Sequence, residues 1–279
     1  MGQSENGLGL MLAGIFSRTY AAKGEAVFAA IKADGFSAAQ LNLSSLGLES
    51  LPASLPEDVV LKAKADAIKR SVVLVALSGT YNMAHPDAAY RKAQRAKFVN
   101  VVQAAKLMDI GIVSLCTGSR DQNNMWAYHA DNYSPEAWRD FRSELGHVLA
   151  LADGLTLAIE PEPSNVVRDA KVARRLLDEV GSSHLKIILD AANLIGPDGL
   201  ARQHQIMAEA FELLGQDVVL AHAKDIDAAG QVVAPGQGAV DLKAFAQGLK
   251  RLKFSGALVG HGFEEKDAKA AALYLKSIA

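Results

Sequence analysis

The chain has 279 residues, 50% hydrophobic and 22% charged, with a formal net charge of -2. That length holds a large core, either one α/β barrel or two small domains, and the composition is ordinary for a soluble protein. The near-neutral balance gives no electrostatic reason to expect nucleic acid, and no apolar run reaches the roughly 18 residues that suggest a membrane span.

Taken in chain order, short apolar runs alternate with longer amphipathic ones. The first strand candidate is LGLMLAGIF (8–16), followed by a helix-like EAVFAAIKAD (25–34). Next come strand 38–43 with helix 60–70, strand 72–78 with helix 89–109, and strand 111–117 with helix 134–153. In the last of these, Ser134 is a plausible N-cap and Pro135 occupies the first helical position. The second half continues with strands 155–160, 185–190, 218–222 and 256–261, and helices 165–180, 202–215, 241–252 and 264–278. The strands are continuously apolar and often β-branched, as expected when both faces are buried. No linker interrupts the series, so residues 1–279 read as one domain, a single (β/α)8 TIM barrel. A doubly wound sheet competes, but no glycine fingerprint for a dinucleotide follows the first strand.

The sole cysteine, Cys116 in GIVSLC, rules out an internal disulfide and reads as a small buried thiol. The opening MGQSENGLGLMLAGIF lacks a basic region, so a cytoplasmic location is expected.

Four of the strand candidates end on a polar residue: Glu160, Asp190, His222 and His261. Each is about one strand–helix unit from the next. In a barrel such positions meet around one mouth, where barrel enzymes keep their chemistry. Any one of the four alone reads equally as a turn cap. Together, two carboxylates and two imidazoles suit one divalent cation: Mn²⁺, Zn²⁺, Co²⁺, Fe²⁺ or, less well, Mg²⁺.

The neighbours add polar groups. Glu162 lies two residues beyond Glu160, Asn193 starts the loop after Asp190, and Lys224 lies two residues beyond His222. All three are candidate substrate contacts, and Asp225 is placed to orient a ligand or to pair with Lys224. Two polar and aromatic loops, 79–91 and 118–138, follow strands and overhang the same mouth. From the second loop, Arg120, Trp126 and His129 are expected to contact substrate. The bland alternatives are an Arg120–Asp121 ion pair and a hydrophobic loop anchor at Trp126. Trp138, inside a helical pattern, reads as packing.

With these residues assembled, the chain resembles the xylose-isomerase-like TIM-barrel superfamily, which includes sugar isomerases and epimerases and the endonuclease IV type of repair enzyme. The likeness is carried by AIEPEP, LDAAN, HAKD and PGQGAVD and runs through nearly the whole chain. It implies one divalent metal, often Mn²⁺, held by Glu, Asp, His and Glu at the ends of strands five to eight. Glu160, Asp190 and His222 match the first three. His261 stands where the pattern has glutamate, with Glu264 or Glu265 as other sources of an oxygen, and Asn193 stands where Asp-x-x-His has histidine.

The resemblance implies an isomerase or epimerase acting on a small sugar, ketose or keto-sugar derivative by proton transfer through a metal-stabilised enediolate. Glu160 is then a base, and His261 a ligand or a proton donor. Two alternatives stay open: a metal-dependent lyase of a keto-sugar or cyclic polyol, and a noncatalytic sugar-binding protein. The expected partner is a small sugar or polyol, with no nucleic acid and no membrane. Self-association into a homo-oligomer is left open.

Overall fold

The computed structural model describes residues 11–279. Residues 8–10 of the first strand candidate, and most of the opening segment, lie outside the described residues. Eight parallel strands close into a barrel. The first half contributes β1 (Leu12–Phe16), α1 (Glu25–Asp34), β2 (Ala38–Leu41), α2 (Glu57–Lys69), β3 (Val73–Ser78), α3 (Ala88–Leu107), β4 (Ile112–Cys116) and α4 (Pro135–Ala152). The second half contributes β5 (Thr156–Glu160), α5 (Ala170–Val180), β6 (Leu185–Asp190), α6 (Ala191–Gly199), α7 (Gln203–Leu214) and β7 (Val218–Ala223). A small hairpin of β8 (Asp225–Ile226) and β9 (Val232–Val233) precedes α8 (Leu242–Arg251), β10 (Ala257–Gly260) and α9 (Ala268–Ile278). The barrel order is β1-β10-β7-β6-β5-β4-β3-β2, closed by pairing of β1 with both β2 and β10. Among the described residues no helix is long and apolar enough to cross a membrane.

Sequence chemistry accounts for the helix ends. Ser134 Oγ accepts from Ala137 N at 3.1 Å and Pro135 opens α4, as its N-terminal pattern predicts. Asp169 and Asp241 cap α5 and α8 in the same way. The helix expected over 165–180 starts only at Ala170, because 161–169 is a loop over the barrel mouth. Helix α6 and the β8–β9 hairpin were not predicted. In α6, Gly196 at φ 57° and Pro197 break the helical pattern from within. The hairpin strands have two residues each, too few to show a period.

The core has two parts. The larger fills the space between strands and helices and includes Phe28, Phe98, Phe141, Leu176 and Phe245. The smaller lies inside the barrel: Ala38, Ala76, Ala158, Ile188, Leu220, Ala257 and Val259. Successive side chains on a strand point to opposite faces, so the residue two steps further on points inward again. Two residues beyond Ala158, Ile188, Leu220 and Val259 stand Glu160, Asp190, His222 and His261. The same step leads from Ala38 to Gln40 and from Ala76 to Ser78. The interior therefore changes from apolar to polar within one pleat of the mouth.

The end of β7 is held by Asp225, which is fully buried. Its Oδ1 accepts from Ile226 N at 2.9 Å and Val240 N at 3.1 Å, and its Oδ2 from Gly236 N and Gly238 N, both at 2.9 Å. A Cβ on Gly238 would sit 2.1 Å from Asp225 Oδ1, so only glycine admits this approach. The HAKD and GQGAVD motifs are thus two halves of one carboxylate-centred turn, and Asp225 forms no ion pair with Lys224 and does not line the cavity at the mouth. We expect Asp225→Ala, which strips four backbone donors of their acceptor, to lower unfolding free energy by roughly 2–4 kcal/mol. Urea melts read this directly, and an unchanged midpoint would remove Asp225 as the anchor.

Candidate metal centre

Glu160, Asp190, His222 and His261 meet at the barrel mouth, with one ligand atom from each within 4.8 Å of all the others. Their strands are adjacent, and register sets Asp190 level with His222, while His261 stands two residues beyond Val259, the partner of His222. Glu160, Asp190 and His222 are 6%, 1% and 3% exposed. Within the cluster, His222 Nδ1 lies 3.0 Å from Glu160 Oε1 and His261 Nε2 lies 2.9 Å from Asp190 Oδ2. The two imidazole rings are 4.5 Å apart, and His261 meets the Phe16 ring edge to face at 6.5 Å.

A layer of hydrogen bonds orients these groups. His222 Nε2 contacts Gln40 Oε1 at 2.7 Å, and Gln40 Nε2 donates to Ser114 Oγ at 3.0 Å. Because the amide nitrogen is committed to Ser114, its oxygen accepts from His222 Nε2–H, which leaves Nδ1 to face the centre. On the other side, Asn193 Nδ2 donates to Glu160 Oε1 at 3.0 Å, and Lys224 Nζ donates to Asn193 Oδ1. Asp190 Oδ1 accepts from Asn193 N at 3.0 Å, which caps α6 and leaves Oδ2 for the centre. Among mutually close acidic and imidazole groups, such support of the second imidazole nitrogen is typical of metal-ligating histidine. The donor set fits a divalent cation on this ground as well as on identity.

The electrostatics are mutual. Burial pushes the Glu160 carboxyl up, but His222 and then His261 hold it below the usual range. Asp190 is likewise opposed by burial, yet Lys224 and His261 hold it at about 2. Burial opposes charge on His222, but Glu160 and Asp190 raise it above an ordinary imidazole, whereas burial and His222 together push His261 down. Glu162 is pushed up to about 8 by burial and by Glu160, against the pull of Lys224. Burial raises the Cys116 thiol, 4.0 Å from Glu160 Oε2, so it stays a thiol as its apolar run predicts.

A cavity of about 250 Å³ opens over the cluster. Of the residues expected to touch substrate, Trp126 and Glu162 line it. Asn193 and Lys224 stand behind Glu160, as the bonds above show. Arg120 does not line the cavity: its guanidinium donates to Ala84 O at 3.2 Å and to Asp140 Oδ2 at 2.9 Å, tying loop 118–138 to α4. His129 also lies off the cavity, where its Nδ1 accepts from Asp131 N at 3.2 Å to cap a turn of 3-10 helix. Neither loop glutamate joins the cluster. Glu264 pairs with Lys266, and Glu265 accepts from Ala21 N. Trp138 packs as expected, with Arg175 stacked 4.2 Å over its ring. Sequence reading missed Gln40, Phe16 and Arg18, all of which line the cavity. Gln40 was legible as the one polar side chain within AAQL; Arg18 lies past its strand and carried no such signal.

Comparison with known proteins agrees with this arrangement at the level of fold. A search of curated proteins finds no sequence match. Among solved structures, the chain is similar to 3-keto-D-glucoside 4-epimerase YcjR from E. coli, with a TM-score of 0.75, 17% identity, and coverage of 96% of this chain and 100% of that one. It is similar to a D-tagatose 3-epimerase-like protein at a TM-score of 0.77 and 15% identity, covering 96% and 97%. A third similar structure is the IolI protein with a bound zinc atom, at a TM-score of 0.70 and 16% identity, covering 96% of both chains. Residues 28–278 match the family model described as xylose isomerase-like TIM barrel, and the chain belongs to that family.

Proposed function

We propose that the chain is a divalent-metal-dependent isomerase or epimerase of a small keto-sugar, with Mn²⁺ as its ion. The observation that carries this reading is the convergence of Glu160, Asp190, His222 and His261 on one point under a small cavity. One carboxylate oxygen each from Glu160 and Asp190, His222 Nδ1 and His261 Nε2 would hold the ion. A cation bound there supplies Lewis-acid polarisation of a substrate carbonyl. The similar structures named as a 3-keto-D-glucoside 4-epimerase and a D-tagatose 3-epimerase-like protein support sugar chemistry.

The chain's own residues then divide the work. Glu160 Oε2, free of the Asn193 and His222 bonds that engage Oε1, takes the proton from the carbon beside the carbonyl. Lys224, through Asn193, keeps that carboxylate aimed, and His222 keeps it ionised. Glu162 and Trp126 line the cavity and contact the sugar. The barrel floor of Ala158, Ile188, Leu220 and Val259 excludes water from below. A lyase is the second reading. The observation favouring it is the asymmetry of the cluster, where the last strand end carries an imidazole, His261, rather than a further carboxylate.

Two outcomes are expected. Mn²⁺ at about a hundredfold excess over its Kd should stabilise the folded chain by about 2.7 kcal/mol, and His261→Ala should remove most of that gain. Thermal melts with and without chelator measure it, and no metal-dependent rise would sink the metal site. With Mn²⁺ present, a panel of ketoses and keto-sugars in deuterated water should incorporate deuterium at the carbon beside the carbonyl. Glu160→Gln should slow this by roughly 10²–10⁴-fold with the fold retained. Loss of water from the product would instead favour the lyase, and no exchange on any sugar would leave only binding.

A further inference from the structure

Beside the central cavity lies a second hollow of about 350 Å³, and the two share Thr80, Met125 and Trp126 as a common wall. Alone, the central cavity's 250 Å³ is below the roughly 300–1,000 Å³ usual for pockets that hold drug-sized ligands, whereas the pair together falls within it. The second hollow is built from α3 and from the loop between β4 and α4, and its chemistry is distinctive. Its lining contains no Asp, Glu, Lys, Arg or His. Instead it presents the side-chain amides of Gln94, Gln122, Asn123 and Asn124.

Those amides are unspent. Gln94, Gln122 and Asn123 make no side-chain hydrogen bond to the described residues, and Asn124 commits only its Oδ1, to Trp126 N at 3.0 Å. Each free amide offers two donors and an acceptor, the combination that matches vicinal hydroxyls. The aromatic members are fixed beside them. Tyr90 stacks on His85 with ring centroids 4.0 Å apart, and Trp126, 50% exposed, stands on the shared wall with its ring available to both hollows. Amides with aromatic faces, and no formal charge, suit a neutral polyhydroxylated ring; a phosphate or carboxylate would find no cation there.

We propose that this hollow is a second sugar subsite, and that the substrate is accordingly a glycoside or disaccharide whose oxidised ring lies over Glu160 and whose other ring lies against Trp126, Gln94 and Asn123. The inference rests on the reading of the metal centre as a sugar site and adds the length of the substrate to it.

Calorimetric titration of the Mn²⁺-loaded full chain tests it with probes that cannot be turned over: methyl β-D-glucoside against cellobiose, and methyl α-D-glucoside against maltose. In one pair the disaccharide should bind about tenfold more tightly than its one-ring partner. The double variant Gln94→Ala with Asn123→Ala, both changes outside the core, should bring that ratio to within about twofold. Equal affinities in both pairs, or a ratio that survives the double variant, would overturn the subsite. If a one-ring keto-sugar still exchanges its proton in those cases, the proposed chemistry stands and only the subsite falls. Binding of no sugar at all, with Mn²⁺ retained, would overturn both.

Discussion

Everything at the barrel mouth depends on keeping the Glu160 carboxylate ionised although its side chain is almost wholly buried. An unpaired buried carboxylate costs several kcal/mol even after relaxation, more than a typical single contact returns. Here Oε1 is met by His222 and Asn193, and the next imidazole, His261, lies 4.0 Å away. The donors are themselves fixed: His222 by Gln40 and Asn193 by Lys224. The bonds run one way. Lys224 donates to Asn193, Asn193 to Glu160, His222 to both Glu160 and Gln40, and Gln40 to Ser114. An imidazole donating from both nitrogens is charged, which agrees with the upward shift of His222.

How this arrangement is carried by a sequence is a matter of period. Each strand must present an apolar residue inward and then, two positions later, a polar one. That step is visible in LTLAIE, LKIILD and VVLAH, and so the barrel and its four converging groups could be read without coordinates. Gln40 follows the same step in AAQL and was passed over because a neutral amide does not announce a site by charge. His261 continues the step just beyond the end of β10, two residues past Val259, which pairs with His222.

Loops obey no such period. Arg120 and His129 have the residue types of substrate contacts, yet their partners, Asp140 and Asp131 N, are set by how loop 118–138 folds onto α4. A cation twenty residues upstream of a carboxylate on a helix carries no sign that the two will pair. Trp126, in the same loop, does reach the cavity, so residue type separated none of the three. Helix α6 was hidden for a related reason. Gly196 and Pro197 are breakers by local rule, and the cap from Asp190 that starts the helix belongs equally to the metal cluster.

The double duty of Asp190 and the polarity of the hydrogen bonds lead to one mechanical consequence. The proton on His222 Nδ1 and the His261–Asp190 bond lie where a cation would be held. A divalent cation held there would displace two protons, those on His222 Nδ1 and His261 Nε2, whereas the Gln40, Ser114 and Lys224 bonds touch none of the four ligand atoms. Among the described residues, Glu160 keeps one oxygen outside the support network, while Asp190 supplies the one side-chain hydrogen bond to His261. Of Glu160 and His261, Glu160 is the one whose direction and charge the fold fixes with more hydrogen bonds.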